Sequence, residues 1–282
     1  MSNELFTAYW SGGEPTGSGK SPTLDQTPDY IDVVELYELG INADGSLDDT
    51  ALVKYHSQAT IKGWISGIRS RQAGTNYHTR FTLCVLGGSI VYNQDPTAFA
   101  QTIKAAVDDW GVDGVTIDYE PPSDDTFIVA VVTAIRAALG DSALMIAPVY
   151  AAWLAQPLRP LQAFAQVMDY VETMDYGPYP GLKETKSLYE SYAAAIGGPG
   201  APAFGKVIIG VSCENPTNDR FTPLADVVSL CAYEPAGGTK AGMMLFTTSY
   251  DIKSRPNRTG NPQGGTGLPD GTFARTIHAK LP

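Results

Sequence analysis

Asp113-Gly114-Val115-Thr116-Ile117-Asp118-Tyr119-Glu120 ends an apolar run with two carboxylates spaced two residues apart. Read as a β-strand, the stretch alternates faces, so Thr116, Asp118 and Glu120 share one side. Val115, Ile117 and Tyr119 share the other, which suits packing against helices. Carboxylates placed together on one wall disfavour each other's ionisation. A glutamic acid in that setting can keep its proton near neutral pH and serve as a general acid. The same spacing also fits an ordinary strand end with solvated acids, and spacing alone leaves both readings open.

Similar runs recur along the chain. Strands are expected at Leu5–Trp10, Ile31–Tyr37, Phe81–Leu86, Gly114–Tyr119, Leu144–Val149, Tyr170–Met174, Val207–Val211 and Met243–Thr247. Most are continuously apolar, as strands covered on both faces of a parallel sheet must be. Helical patterns lie between them. Asp95-Pro96 supplies an N-cap and a proline at the first helical position, and Phe99, Ile103, Val107 and Trp110 then recur at helical spacing. Ser123 precedes a stripe of Phe127, Val131, Val132, Ile135 and Leu139 that Gly140 stops. Thr222-Pro223 opens another helix carrying Leu224, Val227, Val228 and Cys231. Weaker helical segments are expected at Leu158–Val167 and Leu188–Ile196. Thr259–Gly271 is expected to form a final loop before a closing helix.

Alternation of strands and helices predicts βα units with right-handed crossovers. Eight such strands in 282 residues predict an α/β fold, a single (β/α)8 TIM barrel spanning residues 1–282. A doubly wound open sheet is the competing architecture. Its phosphate-binding turn is missing, because Ser11-Gly12-Gly13-Glu14 follows the first strand. Gly17-Ser18-Gly19-Lys20-Ser21 resembles the end of a phosphate loop, but Glu14 sits where that loop needs glycine, and Pro22 stands where a helix should follow.

Composition narrows the partners. Thirty acidic against nineteen basic residues, a formal charge of −11, argues against nucleic acid and against an anionic membrane surface. No apolar run approaches the ~20 residues of a membrane span. The N-terminal residues lack a basic segment followed by an apolar one, so no secretory signal is expected. Cys84, Cys213 and Cys231 form no CxxC spacing, and His56, His78 and His278 lie in no ligand motif. No metal and no cofactor are therefore expected. Asn257-Arg258-Thr259 is a formal glycosylation acceptor of a kind that often arises by chance.

Barrel active sites form at the C-terminal ends of the strands. Trp10, Glu38, Asp118, Glu120, Tyr150, Trp153, Tyr176, Tyr179, Glu214 and Tyr250 fall there. Aromatic rings beside acids suit a carbohydrate cleft, where sugar faces stack on rings and acids donate protons.

The fourth of these strands resembles the DGxDxDxE signature of glycoside hydrolase family 18, which comprises chitinases, endo-β-N-acetylglucosaminidases and inactive relatives. Other segments fall in the family's order. Val85-Leu86-Gly87-Gly88 resembles SxGG with valine replacing serine. Met174-Asp175-Tyr176-Gly177 resembles MxYD with glycine replacing the last acid. Gly242-Met243-Met244-Leu245-Phe246 resembles GxMxW with phenylalanine replacing tryptophan. The resemblance runs from the third strand to the eighth.

It implies a retaining hydrolase of β-1,4-linked N-acetylglucosamine in chitin, chito-oligosaccharides or the N-glycan core. Glu120 would be general acid and then base, Asp118 would hold the substrate's 2-acetamido group, and Tyr176 would donate to the acetamido oxygen. The substrate itself supplies the nucleophile. Trp10, Met174, Phe246, Tyr150 and Tyr179 would bind sugar. Asp113 would brace the strand, and Thr116, standing where the family has its inner acid, would support Asp118 by a hydrogen bond.

A monomer is expected, and the implied glycan favours an extracellular setting. Thr116, Gly177 and Phe246 depart from the family pattern and leave open an alternative, a chitinase-like carbohydrate-binding protein with weak or no turnover. A third reading pairs Glu120 with Glu172 or Glu214 as a second carboxylate.

Overall fold

The computed structural model describes residues 4–12, 15–16, 19–20, 22–86, 95–120, 127–151, 154, 161–198, 200–214, 220–253 and 266–281. Eight parallel strands close on themselves: β1 (Leu5–Trp10), β2 (Val33–Ile41), β3 (Arg80–Leu86), β4 (Gly114–Asp118), β5 (Leu144–Val149), β6 (Tyr170–Thr173), β7 (Val207–Ser212) and β8 (Gly242–Phe246). Each pairs with its neighbours in chain order, and β1 pairs with both β2 and β8, which completes the barrel. The predicted (β/α)8 architecture is therefore the one the chain adopts, with all eight strands where the apolar runs place them.

Among the described residues seven helices surround the strands: α1 (Gln58–Gln72), α2 (Pro96–Trp110), α3 (Phe127–Leu139), α4 (Leu161–Val167), α5 (Leu182–Gly197), α6 (Leu224–Cys231) and α7 (Thr272–Lys280). Between β1 and β2 the described residues hold an antiparallel pairing of Pro15–Thr16 with Gly19–Lys20 and a 3-10 turn at Leu24–Gln26 instead of a helix. The expected punctuation operates in α2, where the Asp95 side chain accepts from the amide of Thr97 at 2.9 Å and Gly111 ends the helix with φ +65°. Gly140, at φ +82°, ends α3. α5 begins six residues before the expected Leu188, because its first turns bury only Thr185 and so show no apolar stripe. β2 runs past the expected Tyr37, since Gly40 and Ile41 pair antiparallel with Leu47 and Asp48. The Ser123 cap, Trp153, Gly87-Gly88, the glycosylation triplet and most of the glycine-rich loop lie outside the described residues.

Strand alternation separates two apolar layers. Phe6, Ala8, Trp10, Val115, Ile117, Tyr119, Ile209 and Leu245 belong to the outer core against the helices. Tyr9, Cys84, Ile208 and Met244 face the barrel interior with Tyr176. The interior also holds polar side chains with no solvent exposure, namely Thr7, Glu35, Thr82, Thr116 and Glu172. Gly114 opens β4 against β5 so closely that a Cβ would sit 1.8 Å from the Leu144 carbonyl oxygen. No side chain larger than hydrogen fits there without parting the strands.

Cys84, Cys213 and Cys231 are all free and buried. No helix among the described residues is long and apolar enough to cross a membrane.

Candidate active site

At the C-terminal end of the strands lies a cleft of about 340 Å³. Asp118, Glu120, Met174, Tyr176, Tyr150 and Phe246 all border it, as do Gly177 and Glu214, so eight of the residues singled out in the sequence converge there. The β4 alternation accounts for the acids: Asp118 and Glu120 extend the inward face that begins with Thr116, while Tyr119 packs into the outer core. Asp118 is only 4% exposed, whereas Glu120, just beyond the strand, is exposed at the rim. Burial raises the Asp118 carboxyl well above its ordinary range, and the charges of Glu120, Glu38 and Glu172 push it further the same way. Of its two oxygens, Oδ1 is buried and meets no hydrogen-bond donor among the described residues.

Aromatic rings make the floor. Phe246 stacks on Tyr176 with centroids 5.8 Å apart and planes 17° from parallel. It also meets Tyr9, Tyr37 and Tyr250 edge-on or tilted at 5.5, 5.6 and 6.1 Å. Tyr176 is buried, and burial followed by the charges of Asp118, Glu172 and Glu214 raises its phenol well above the usual range. It is thus a hydroxyl that keeps its proton and can donate it as a hydrogen bond.

Two expected contacts do not reach the cleft. Trp10 is fully buried in the outer core, its indole N–H donating to the Pro22 carbonyl at 2.9 Å and its ring edge-on to Trp64. Being at the end of β1 was a poorer guide than strand phase, which turns Tyr9 inward and Trp10 outward. Tyr179 donates instead to Asp226 in α6 at 3.0 Å and does not border the cleft.

The expected bond from Thr116 to Asp118 is also replaced. The Thr116 hydroxyl donates to Glu35 Oε2 at 2.6 Å and lies 2.8 Å from the Thr82 hydroxyl. Asp113 sits at the opposite, N-terminal end of β4. There it accepts from the Phe81 amide at 2.8 Å and from Arg69 at 2.7 Å. Glu172 is fully buried and does not border the cleft, whereas Glu214 does.

Three lining residues had not been anticipated: Tyr9, Tyr37 and Arg220. Tyr9 and Tyr37 follow from strand phase, each lying two residues beyond a polar interior residue, Thr7 and Glu35. Arg220 lies in the connection between β7 and α6, where no periodicity could have placed it. A Cβ on Gly177 would stand 3.2 Å from Arg220 Cγ, so glycine at 177 lets the arginine stem lie against the cleft wall. Tyr37 also borders an adjoining hollow of about 460 Å³ lined by Glu38, Lys54, Tyr55 and Tyr250. The combined surface offers carboxyl groups, retained phenol protons and ring faces, the functional groups that bind and protonate a neutral polyhydroxylated ligand.

No family model matches the sequence, and no curated protein matches it either. Solved structures do match. A GH18 chitinase from Pseudoalteromonas aurantia superposes with a TM-score of 0.70 at 16% identity, covering 99% of this chain and 100% of that one. A Group IV chitinase from Ostrinia furnacalis in complex with allosamidin gives 0.72 at 14% identity, over 99% and 98%. A mutant endo-β-N-acetylglucosaminidase from Cordyceps militaris, in complex with fucosyl-N-acetylglucosamine-Asn, gives 0.66 at 17% identity, over 100% and 92%. The chain has the barrel fold seen in the glycoside hydrolase family 18 chitinases.

Proposed function

We propose that the protein is a retaining glycoside hydrolase that cleaves β-1,4-linked N-acetylglucosamine by substrate-assisted catalysis. The observation that carries this reading is the pairing of exposed Glu120 with buried Asp118, whose carboxyl burial raises, on one wall of a cleft floored by Tyr176 and Phe246. Glu120 protonates the glycosidic oxygen as the bond breaks. Asp118 holds the 2-acetamido group while its carbonyl oxygen closes on the anomeric carbon, and Tyr176 donates a hydrogen bond to that oxygen. Glu120 then takes a proton from water, which opens the intermediate with net retention. Neutral sugars also suit a chain of formal charge −11.

The test is Glu120→Gln assayed on chito-oligosaccharides and on a high-mannose glycopeptide, with products read by mass spectrometry. Wild-type cleavage with loss of turnover in the variant supports the reading. Equal turnover in both removes Glu120 as the acid.

A second reading, binding without turnover, draws on the Thr116 hydroxyl being committed to Glu35 and on Gly177 replacing an acid beside Tyr176. Calorimetric binding of chito-oligosaccharide with no product after prolonged incubation would favour it.

A further inference from the structure

Beneath the cleft, inside the barrel, two glutamates from non-adjacent strands meet. Glu35 of β2 and Glu172 of β6 are both without solvent exposure and lie within hydrogen-bonding reach of each other. No ion pair among the described residues involves either one. Their donors are hydroxyls: Thr7 and Tyr9 donate to Glu172, the latter to Oε2 at 3.2 Å, and Thr116 donates to Glu35 Oε2. That leaves Glu35 Oε1 buried with no donor among the described residues. Two uncompensated buried carboxylates side by side are too costly to persist together. A proton on Glu35 Oε1, donated to Glu172, removes both the repulsion and the orphaned atom.

The consequence reaches the cleft through Tyr9, whose ring borders it while its hydroxyl donates to Glu172 and also lies within hydrogen-bonding reach of Glu35. We propose that Glu35 and Glu172 form a proton-sharing pair whose single charge, on Glu172, fixes Tyr9 in the cleft wall and acts on Asp118 from below. Both are positioning residues, and the proposal rests on the hydrolytic reading above.

The groups around the pair all bear on it: Thr7 and Tyr9 on β1, Thr82 and Cys84 on β3, Thr116 and Asp118 on β4, and Tyr176 beyond β6. None is cationic. Burial raises both carboxyls, Glu35 well above the usual range and Glu172 to about 7, consistent with a retained proton. Glu172 in turn raises Asp118.

The two members are therefore inequivalent, and isosteric amides distinguish them. Glu35→Gln imitates the protonated acid and should keep the wild-type pH–rate profile. Glu172→Gln removes the charge, so the limb of the kcat/KM profile set by Asp118 should move to lower pH. Through the loosened Tyr9, kcat should fall about tenfold, with KM held within about twofold. Packing alone would lower activity without moving the profile.

In parallel, carbon-13 NMR of protein labelled at glutamate Cδ reads the pair without any turnover. One buried carboxyl should stay protonated through neutral pH and vanish in Glu35→Gln, while a second titrates near neutrality and vanishes in Glu172→Gln. Ionisation of both carboxyls below pH 5, or a Glu172→Gln profile unmoved in pH, overturns the pair. Absence of wild-type cleavage would instead overturn the hydrolytic reading, with the NMR experiment still deciding whether the proton is shared.

Discussion

Replacing Glu172 with glutamine should change how stability depends on pH. In the folded chain this carboxyl titrates at about 7 against 4.5 when free, with burial as the leading cause. The folded state therefore binds the proton more tightly than the unfolded state between those values. The associated stability is complete below pH 4.5, declines as pH rises, and is gone above about 7. At ~1.4 kcal/mol per pH unit, the displacement amounts to about 3 kcal/mol. Glutamine has nearly the same shape and cannot ionise, so the variant should lack this decline. General repulsion from the acidic surface is nearly common to both proteins and cancels in the difference. Urea unfolding of both at intervals from pH 4.5 to 8 measures it directly. The wild-type curve should fall relative to the variant by roughly that amount and then run parallel above pH 7. Parallel curves throughout would refute a buried Glu172 whose carboxyl titrates near neutrality.

Trp10→Ala should destabilise the fold by about 3–5 kcal/mol, seen as a lower urea midpoint, because the ring is core and not sugar platform. Tyr176→Phe should lower kcat on chito-oligosaccharides by about 10–100-fold with little change in KM, since its hydroxyl is assigned to the developing charge. Asp251→Ala should cost about 2–4 kcal/mol in unfolding experiments. It strips the acceptor from the Phe273 and Ala274 amides at 3.0 and 2.8 Å, two buried donors at the start of α7. Asp175, raised by burial to about 6, should add to the loss of stability between pH 4 and 6, and Asp175→Asn should flatten that portion of the curve.

The barrel was legible because its strands are covered on both sides and read as apolar runs that few other elements imitate. The seven helices were less evenly marked. Caps and stripes announced α2, α3 and α6, while the polar opening of α5 hid its first turns. At the site, Asp118 and Glu120 could be placed on one face from β4 alone. Trp10 was misassigned because proximity to a strand end says nothing of phase. The phase was nonetheless written in the sequence, for Thr7, Glu35, Thr82 and Thr116 are polar residues set singly in apolar runs, and each faces the barrel interior, as does Glu172 beside Thr173. Their meeting depends on the stagger between strands, which no single run encodes. Tyr179 and Arg220 lie in connections whose course is set by neighbouring elements, so their partners were beyond reach of local patterns.

The three free cysteines occupy three different depths of the molecule. Cys84 lies within the barrel, Cys213 just past the end of β7, and Cys231 at the close of α6. Burial suppresses the thiolate at all three. Thiol-directed reagents should thus pass over the native protein and mark each position only when its own surroundings open. The chain carries a natural set of timers for separating loosening of the helical shell from rupture of the strands.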